Sequence, residues 1–66
     1  MNPNANRLFQ EIVSLLEQLR QETQESQSYY QRNDKNSAAR NLNGAKDELN
    51  ALVQKYNSLI SEVNKS

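Results

Sequence analysis

The sequence contains no cysteine, no histidine and no tryptophan, and only one glycine and one proline. Without cysteine, a short chain has neither disulfide bonds nor a Cys-based zinc site. Without histidine, it lacks the commonest general base and the commonest metal ligand. A hard-cation site made of carboxylates needs clustered acids held by a loop, and the sequence has no such cluster. We therefore expect no cofactor, no metal and no catalytic residue, and we expect that the protein is not an enzyme.

The charges are balanced, with eight basic and eight acidic residues and a net charge of zero. Binding to nucleic acid or to an anionic membrane needs a basic surplus, so both are unfavoured as partners. No apolar run approaches the roughly 20 residues of a membrane span. The first residues lack the basic-then-apolar plan of a signal peptide. The expectation is a cytoplasmic protein without membrane, nucleic acid or small-molecule substrate as a partner.

The first half of the chain has the apolar spacing of a helix that packs along one side. Apolar or small residues recur at alternating intervals of four and three, which is typical of a coiled-coil seam. They are Ala5, Phe9, Ile12, Leu16, Leu19, Thr23, Ser26 and Tyr30. Asn2 followed by Pro3 is a helix-start pair, although Asn4 or Asn6 could cap instead. The sequence predicts helix 1 over about residues 3–31.

The second half repeats every seven residues from Asn36, and asparagine opens each block. Its seam has the same four-and-three spacing. The seam residues are Ala38, Leu42, Ala45, Leu49, Leu52, Tyr56, Leu59 and Val63. This pattern predicts helix 2 over about residues 36–63. The polar residues 32–36 form the predicted turn, in which Asp34 or Asn36 could cap helix 2.

A connection this short allows only an antiparallel neighbour. When the chain is folded at Asp34, the two seams meet in register, in pairs such as Ile12–Tyr56 and Leu16–Leu52. Small Ala38 and Ala45 should let the helices approach closely near the turn. We therefore predict an all-α fold, a single domain over residues 1–66 that forms a two-helix antiparallel hairpin resembling a coiled coil. Two such hairpins are expected to pair into a four-helix bundle.

Five apolar residues lie outside the predicted seams. They are Leu8, Val13, Leu15, Val53 and Ile60. Burying each aliphatic side chain is worth roughly 1.5–3 kcal/mol relative to exposure, and an isolated pair of helices is marginally stable. We predict that these five residues form the interface with a second copy or with a larger protein.

Two further features concern the outside of the hairpin. Tyr29, beside the turn, could anchor a partner or could have no binding role. Asn43, Gly44, Asn50 and Asn57 of helix 2 could complete an outer interaction surface, or they could be a solvated back face or the relic of a heptad duplication.

Like charges should also lie close together across the hairpin. Arg20 and Lys46 fall on one flank of the predicted hairpin, whereas Glu22 and Glu48 fall on the other.

The sequence favours a small non-enzymatic protein–protein interaction module, acting as an adaptor, an inhibitor or an assembly chaperone. Such a module would associate with itself, dock on a larger protein, or do both. The alternative is an RNA-binding dimeric helical bundle. The predicted architecture is similar to that of Rop, the plasmid RNA-binding helical hairpin, but this resemblance involves no shared motif.

Overall fold

The computed structural model describes residues 2–65 of the chain as two helices packed side by side. Helix α1 spans Pro3–Gln31 and helix α2 spans Lys35–Lys65. The pair is a thin rod with extents of 50 × 15 × 10 Å. This confirms the all-α hairpin, with α2 ending two residues beyond its predicted end.

The start of α1 is capped by Asn2. Its side-chain Oδ1 accepts hydrogen bonds from the backbone N–H of Asn4, at 2.9 Å, and of Ala5, at 3.4 Å. Pro3 occupies the first helical position, where a missing N–H costs nothing. Asn2 Nδ2 also donates to Glu62 Oε2 at 2.9 Å. The cap therefore satisfies the first turn of α1 and joins the two helices at the open end of the hairpin.

The turn is a Schellman motif with asparagine in the left-handed position. Asn33 has a φ of 64°, a conformation that asparagine tolerates better than most residues. Its N–H donates to the Tyr30 carbonyl at 3.0 Å, and the Asp34 N–H donates to the Tyr29 carbonyl at 2.9 Å. Asp34 Oδ1 then accepts from the Ser37 N–H at 3.1 Å and caps α2. One short segment thus ends one helix and starts the next.

The contact line between the helices is mostly apolar and contains small residues near the turn. Its buried members are Ala5, Leu8, Ile12 and Ser26 of α1 and Ala38, Ala45, Leu52 and Leu59 of α2. Leu15 and Leu19 pack against this core and are partly buried. Leu52 is the most deeply buried of them, with 3% of its surface exposed.

The predicted seams are half right. Every second predicted seam position is exposed instead of buried, and these positions are Phe9, Leu16, Thr23, Tyr30, Leu42, Leu49, Tyr56 and Val63. On α1 the residue one position earlier lies in the contact, so Leu8 replaces Phe9 and Leu15 replaces Leu16. At 100° per residue, the real contact line is turned about 40–50° from the centre of each predicted seam.

Polar pairs join the two helices along the opposite edge of the contact. Lys55 Nζ donates to Glu11 Oε2 at 2.7 Å, and Asn41 Nδ2 donates to Glu25 Oε1 at 3.2 Å. These side chains lie on the flank away from the exposed apolar positions. They reach each other because the helices touch along that edge of their apolar stripes. We call this flank the polar face.

Small residues bring the helices close together near the turn, as the sequence predicted. Ser26 is buried, with 4% of its surface exposed, and faces Ala38. Its Oγ donates to the Ala38 carbonyl at 2.8 Å, which satisfies the hydroxyl group in an apolar setting. A larger residue at this position would separate the helices.

Candidate functional site

The hairpin leaves a set of large apolar side chains exposed, which we call the apolar face. Its members are Phe9, Val13, Leu16 and Tyr30 of α1 and Leu42, Leu49, Val53, Tyr56, Ile60 and Val63 of α2. Single exposed apolar residues are ordinary, whereas a contiguous set marks an interaction site.

Helical periodicity places all ten on one side of the rod. On each helix they lie about 90° around the helix axis from the contact line. The rotation has the same sense on both helices when each is followed from its N-terminus to its C-terminus. Because the helices are antiparallel, this offset carries both sets to the same side of the hairpin. A groove of 390 Å³ between the helices, lined by Thr23, Tyr30, Ala38 and Leu42 among others, shows that residues of both helices share this side.

The apolar face is uneven along its length. Toward the open end it is dense, and Val13 and Ile60 there are 65% and 57% exposed. Toward the turn it carries only Tyr30 and Leu42 as large apolar groups, beside the groove described above. The strongest potential for apolar contact therefore lies in the open half, where the sequence predicted docking.

The five predicted interface residues divide into two groups. Val13, Val53 and Ile60 are exposed on the apolar face, as a partner-binding role requires. Leu8 is buried in the hairpin core and Leu15 packs against that core, so their placement outside the seam is wrong. The rotated contact line explains the error, since it brings both leucines between the helices.

Sequence reasoning assigned the remaining members of the apolar face to the core. A signal for the true arrangement was present in α1, where apolar residues occur in adjacent pairs such as Leu8–Phe9 and Leu15–Leu16. Such pairs widen the apolar stripe beyond what one neighbouring helix covers. A stripe of this width explains why part of it stays exposed when α1 packs against α2 alone.

The predicted outer surface is only partly open. Asn43, Asn50 and Asn57 are exposed along the back of α2. Gly44 is half-buried at the edge of the helix contact, and a Cβ atom added there would lie 3.6 Å from Glu22 Oε2. The asparagines and Gly44 therefore belong to different surfaces.

Tyr29 belongs to the end of the hairpin at the turn. It is half-buried, and the Arg32 guanidinium lies over its ring, 4.9 Å from the centroid. This cation–π contact and the backbone bonds of the turn hold Tyr29 in place.

Ion pairs on the helix surfaces set the pKa values of several carboxyl groups. The hydrogen bond from Lys55, helped by its charge, lowers the pKa of Glu11. Arg20 donates two hydrogen bonds to Glu17, at 2.6 and 3.1 Å, and these lower the pKa of that carboxyl. Both glutamates are ionised partners rather than candidate proton donors.

Glu22 and Glu48 meet across the helix contact, as the sequence predicted. One carboxyl oxygen of Glu48 is buried, and no donor within residues 2–65 reaches it. The neighbouring Glu48 carboxyl group, which can accept a hydrogen bond from protonated Glu22, raises the Glu22 pKa, as do burial and the nearby charges of Glu48 and Glu25. The half-buried Gly44 leaves space beside this pair.

The described part of the chain shows no constellation suited to catalysis by metal. Within residues 2–65, no three His, Cys, Asp or Glu side chains are grouped as metal ligands. Neither helix, over its described length, is both long and apolar enough to cross a membrane.

Comparison with known proteins gives no relative: no family model, no curated protein and no solved structure matches this chain.

Proposed function

We propose that the protein is a small non-enzymatic interaction module that binds another polypeptide through its apolar face, as an adaptor, an inhibitor or an assembly chaperone does. The observation that carries the proposal is the balance of apolar residues. The hairpin buries only four large aliphatic side chains, Leu8, Ile12, Leu52 and Leu59, and exposes ten large apolar ones on one side. Covering that side would remove further large apolar side chains from water.

The direction of the apolar stripes supports pairing into a four-helix bundle. In a bundle of roughly square section, each helix has two neighbours, and the centre lies about 45° from the direction of either one. The seams predicted from sequence are the centres of the apolar stripes, and they point about 40–50° away from the contact line. Both stripes turn to the same side. This is the geometry expected when a second pair of helices completes the core.

The proposal is tested by paired substitutions on α2. Val53→Ser with Ile60→Ser removes two apolar side chains from the apolar face. Asn50→Ser with Asn57→Ser makes the matched change on the exposed back of the same helix, again at sites seven positions apart. Asparagine and serine have similar helix propensities, so the control should preserve the helix.

Each variant is used as bait for affinity capture, with an untagged copy of the chain included, and the captured polypeptides are identified by mass spectrometry. We expect a partner held by the wild type and by the asparagine variant but not by the Val53/Ile60 variant. Circular dichroism of each bait shows that it is still helical. Loss of the partner with the asparagine variant alone would refute the proposal and move the site to the back of α2.

A further inference from the structure

Resting on the proposed function, we propose that the occupant of the apolar face is a second copy of this chain, aligned so that both turns lie at the same end of the bundle. The proposal follows from the size of the face, from the distribution of apolar residues along it and from its charges.

The size of the face suits a stable dimer. A side 50 Å long and 15 Å wide has a projected area of about 750 Å² per copy, so the accessible surface that covering it would bury is of the same order as the roughly 800 Å² per partner of a standard protein interface. A second hairpin has the same length, so it covers the stripe from end to end without an overhang. A face that matches itself in this way allows a two-fold symmetric contact.

The alignment follows from the uneven distribution of apolar residues. With the turns together, the dense open half of one copy meets the dense open half of the other. Phe9 then lies at the level of Tyr56 and Ile60 of the other copy, and Leu16 lies at the level of Leu49. With the turns at opposite ends, Phe9 would instead face the level of about Gln27 and Val13 that of about Thr23, where polar groups interrupt the face. Burying polar groups without partners is unfavourable.

The charge of Arg20 does not oppose this alignment. Arg20 and Lys46 are the basic residues near the middle of the apolar face, and the alignment brings those of both copies to one level. Arg20 is already paired with Glu17 by two hydrogen bonds and also donates to Gln24 at 3.3 Å. Its charge is thus balanced within its own helix. A net charge of zero also removes any general repulsion between copies.

The first measurement is the mass in solution by light scattering over a dilution series. We expect twice the 7.6 kDa of the chain. The Val53→Ser/Ile60→Ser variant should raise the concentration of half-dissociation at least about 100-fold, because each copy loses two buried aliphatic groups. The Asn50→Ser/Asn57→Ser control should keep the wild-type value.

The second measurement is the distance between spin labels in the dimer. The chain has no cysteine, so Asn36→Cys and Asn64→Cys, made separately, give one label site near the turn and one near the open end. Aligned turns predict about 20–35 Å between the two labels of a dimer at both sites, from interaxial distances of 8–10 Å. Opposed turns predict about 45 Å or more at both sites, from the rise of the helix.

The outcomes separate this inference from the proposed function. Long distances at both sites, or at the turn site alone, would overturn the alignment. A monomer at every concentration would overturn the second copy as occupant. If that monomer still captured a different polypeptide, and lost it with the Val53/Ile60 substitutions, the proposed function would stand without this inference.

Discussion

Gly44 is the one glycine of the chain, and it lies inside α2 without needing a glycine conformation. No glycine of the described chain has a positive φ, so alanine fits the backbone at this position. A Cβ atom there would meet Glu22 Oε2 at 3.6 Å, an ordinary contact with the end of a flexible side chain. Gly44→Ala therefore adds helix propensity without a clash.

The expected gain follows from these two observations. Alanine is favoured over glycine in a helix interior by about 0.8–1.0 kcal/mol, partly because alanine restricts the unfolded chain. Since no steric term opposes it, Gly44→Ala should raise the free energy of unfolding by about 0.5–1 kcal/mol per chain. For a domain of this size, 1 kcal/mol corresponds to a rise of roughly 4–8 °C in melting temperature.

The assay is urea and thermal unfolding followed by far-ultraviolet circular dichroism at one fixed protein concentration. Ala51→Gly is the matched control, since Ala51 occupies the same position one seven-residue block later and is exposed. It should lower stability by about 1 kcal/mol. If Gly44→Ala destabilised the protein while Ala51→Gly behaved as expected, the reasoning would fail. Gly44 would then be needed for a close approach that the hairpin alone does not show.

Three further predictions concern the core, the turn and the carboxyl pair. Leu52→Ala should lower the free energy of unfolding by about 2–5 kcal/mol, because it empties the most buried position of the core; urea unfolding measures this loss. Asn33→Ala should cost about 1–2 kcal/mol and Asn33→Gly should not, because the turn holds φ at 64°; thermal melts compare the two. Glu22 has a raised pKa in the folded chain, so its contribution to stability declines as pH rises from the ordinary glutamate value through the raised one. Glu48→Gln should reduce that decline in a pH series of urea melts, and an unchanged pH profile would contradict the pairing.

Much of the fold could be predicted because its signals are local. The Asn2–Pro3 start and the polar turn around Asp34 are short-range features, and the structure places the helix ends close to the predicted ones. The four-and-three spacing also identified the side of each helix on which the core would lie. Antiparallel packing followed from the short connection alone.

The exact line of contact could not be predicted because it depends on both helices together. A stripe as wide as Leu8–Phe9 and Leu15–Leu16 can present either edge to a neighbour. The choice depends on how the two helices pack together, and a contact such as Glu11–Lys55 forms only when the helices already touch along that edge. Residues placed in one seam by sequence therefore divide between the hairpin core and the apolar face.

The hydrogen bond between Asn2 and Glu62 joins residues sixty positions apart in sequence. It brings the two ends of the described chain side by side, with only a narrow opening between them. A short linker across that opening, with new termini made at Asn33, would give a circular permutant with the same helix contacts in a different chain order. In the natural order the contacts near the turn close the shortest loops and should form first. In the permutant the shortest loops are closed instead by contacts at the end with the larger side chains. Comparing the folding rates of the two proteins would show which end of the hairpin forms first.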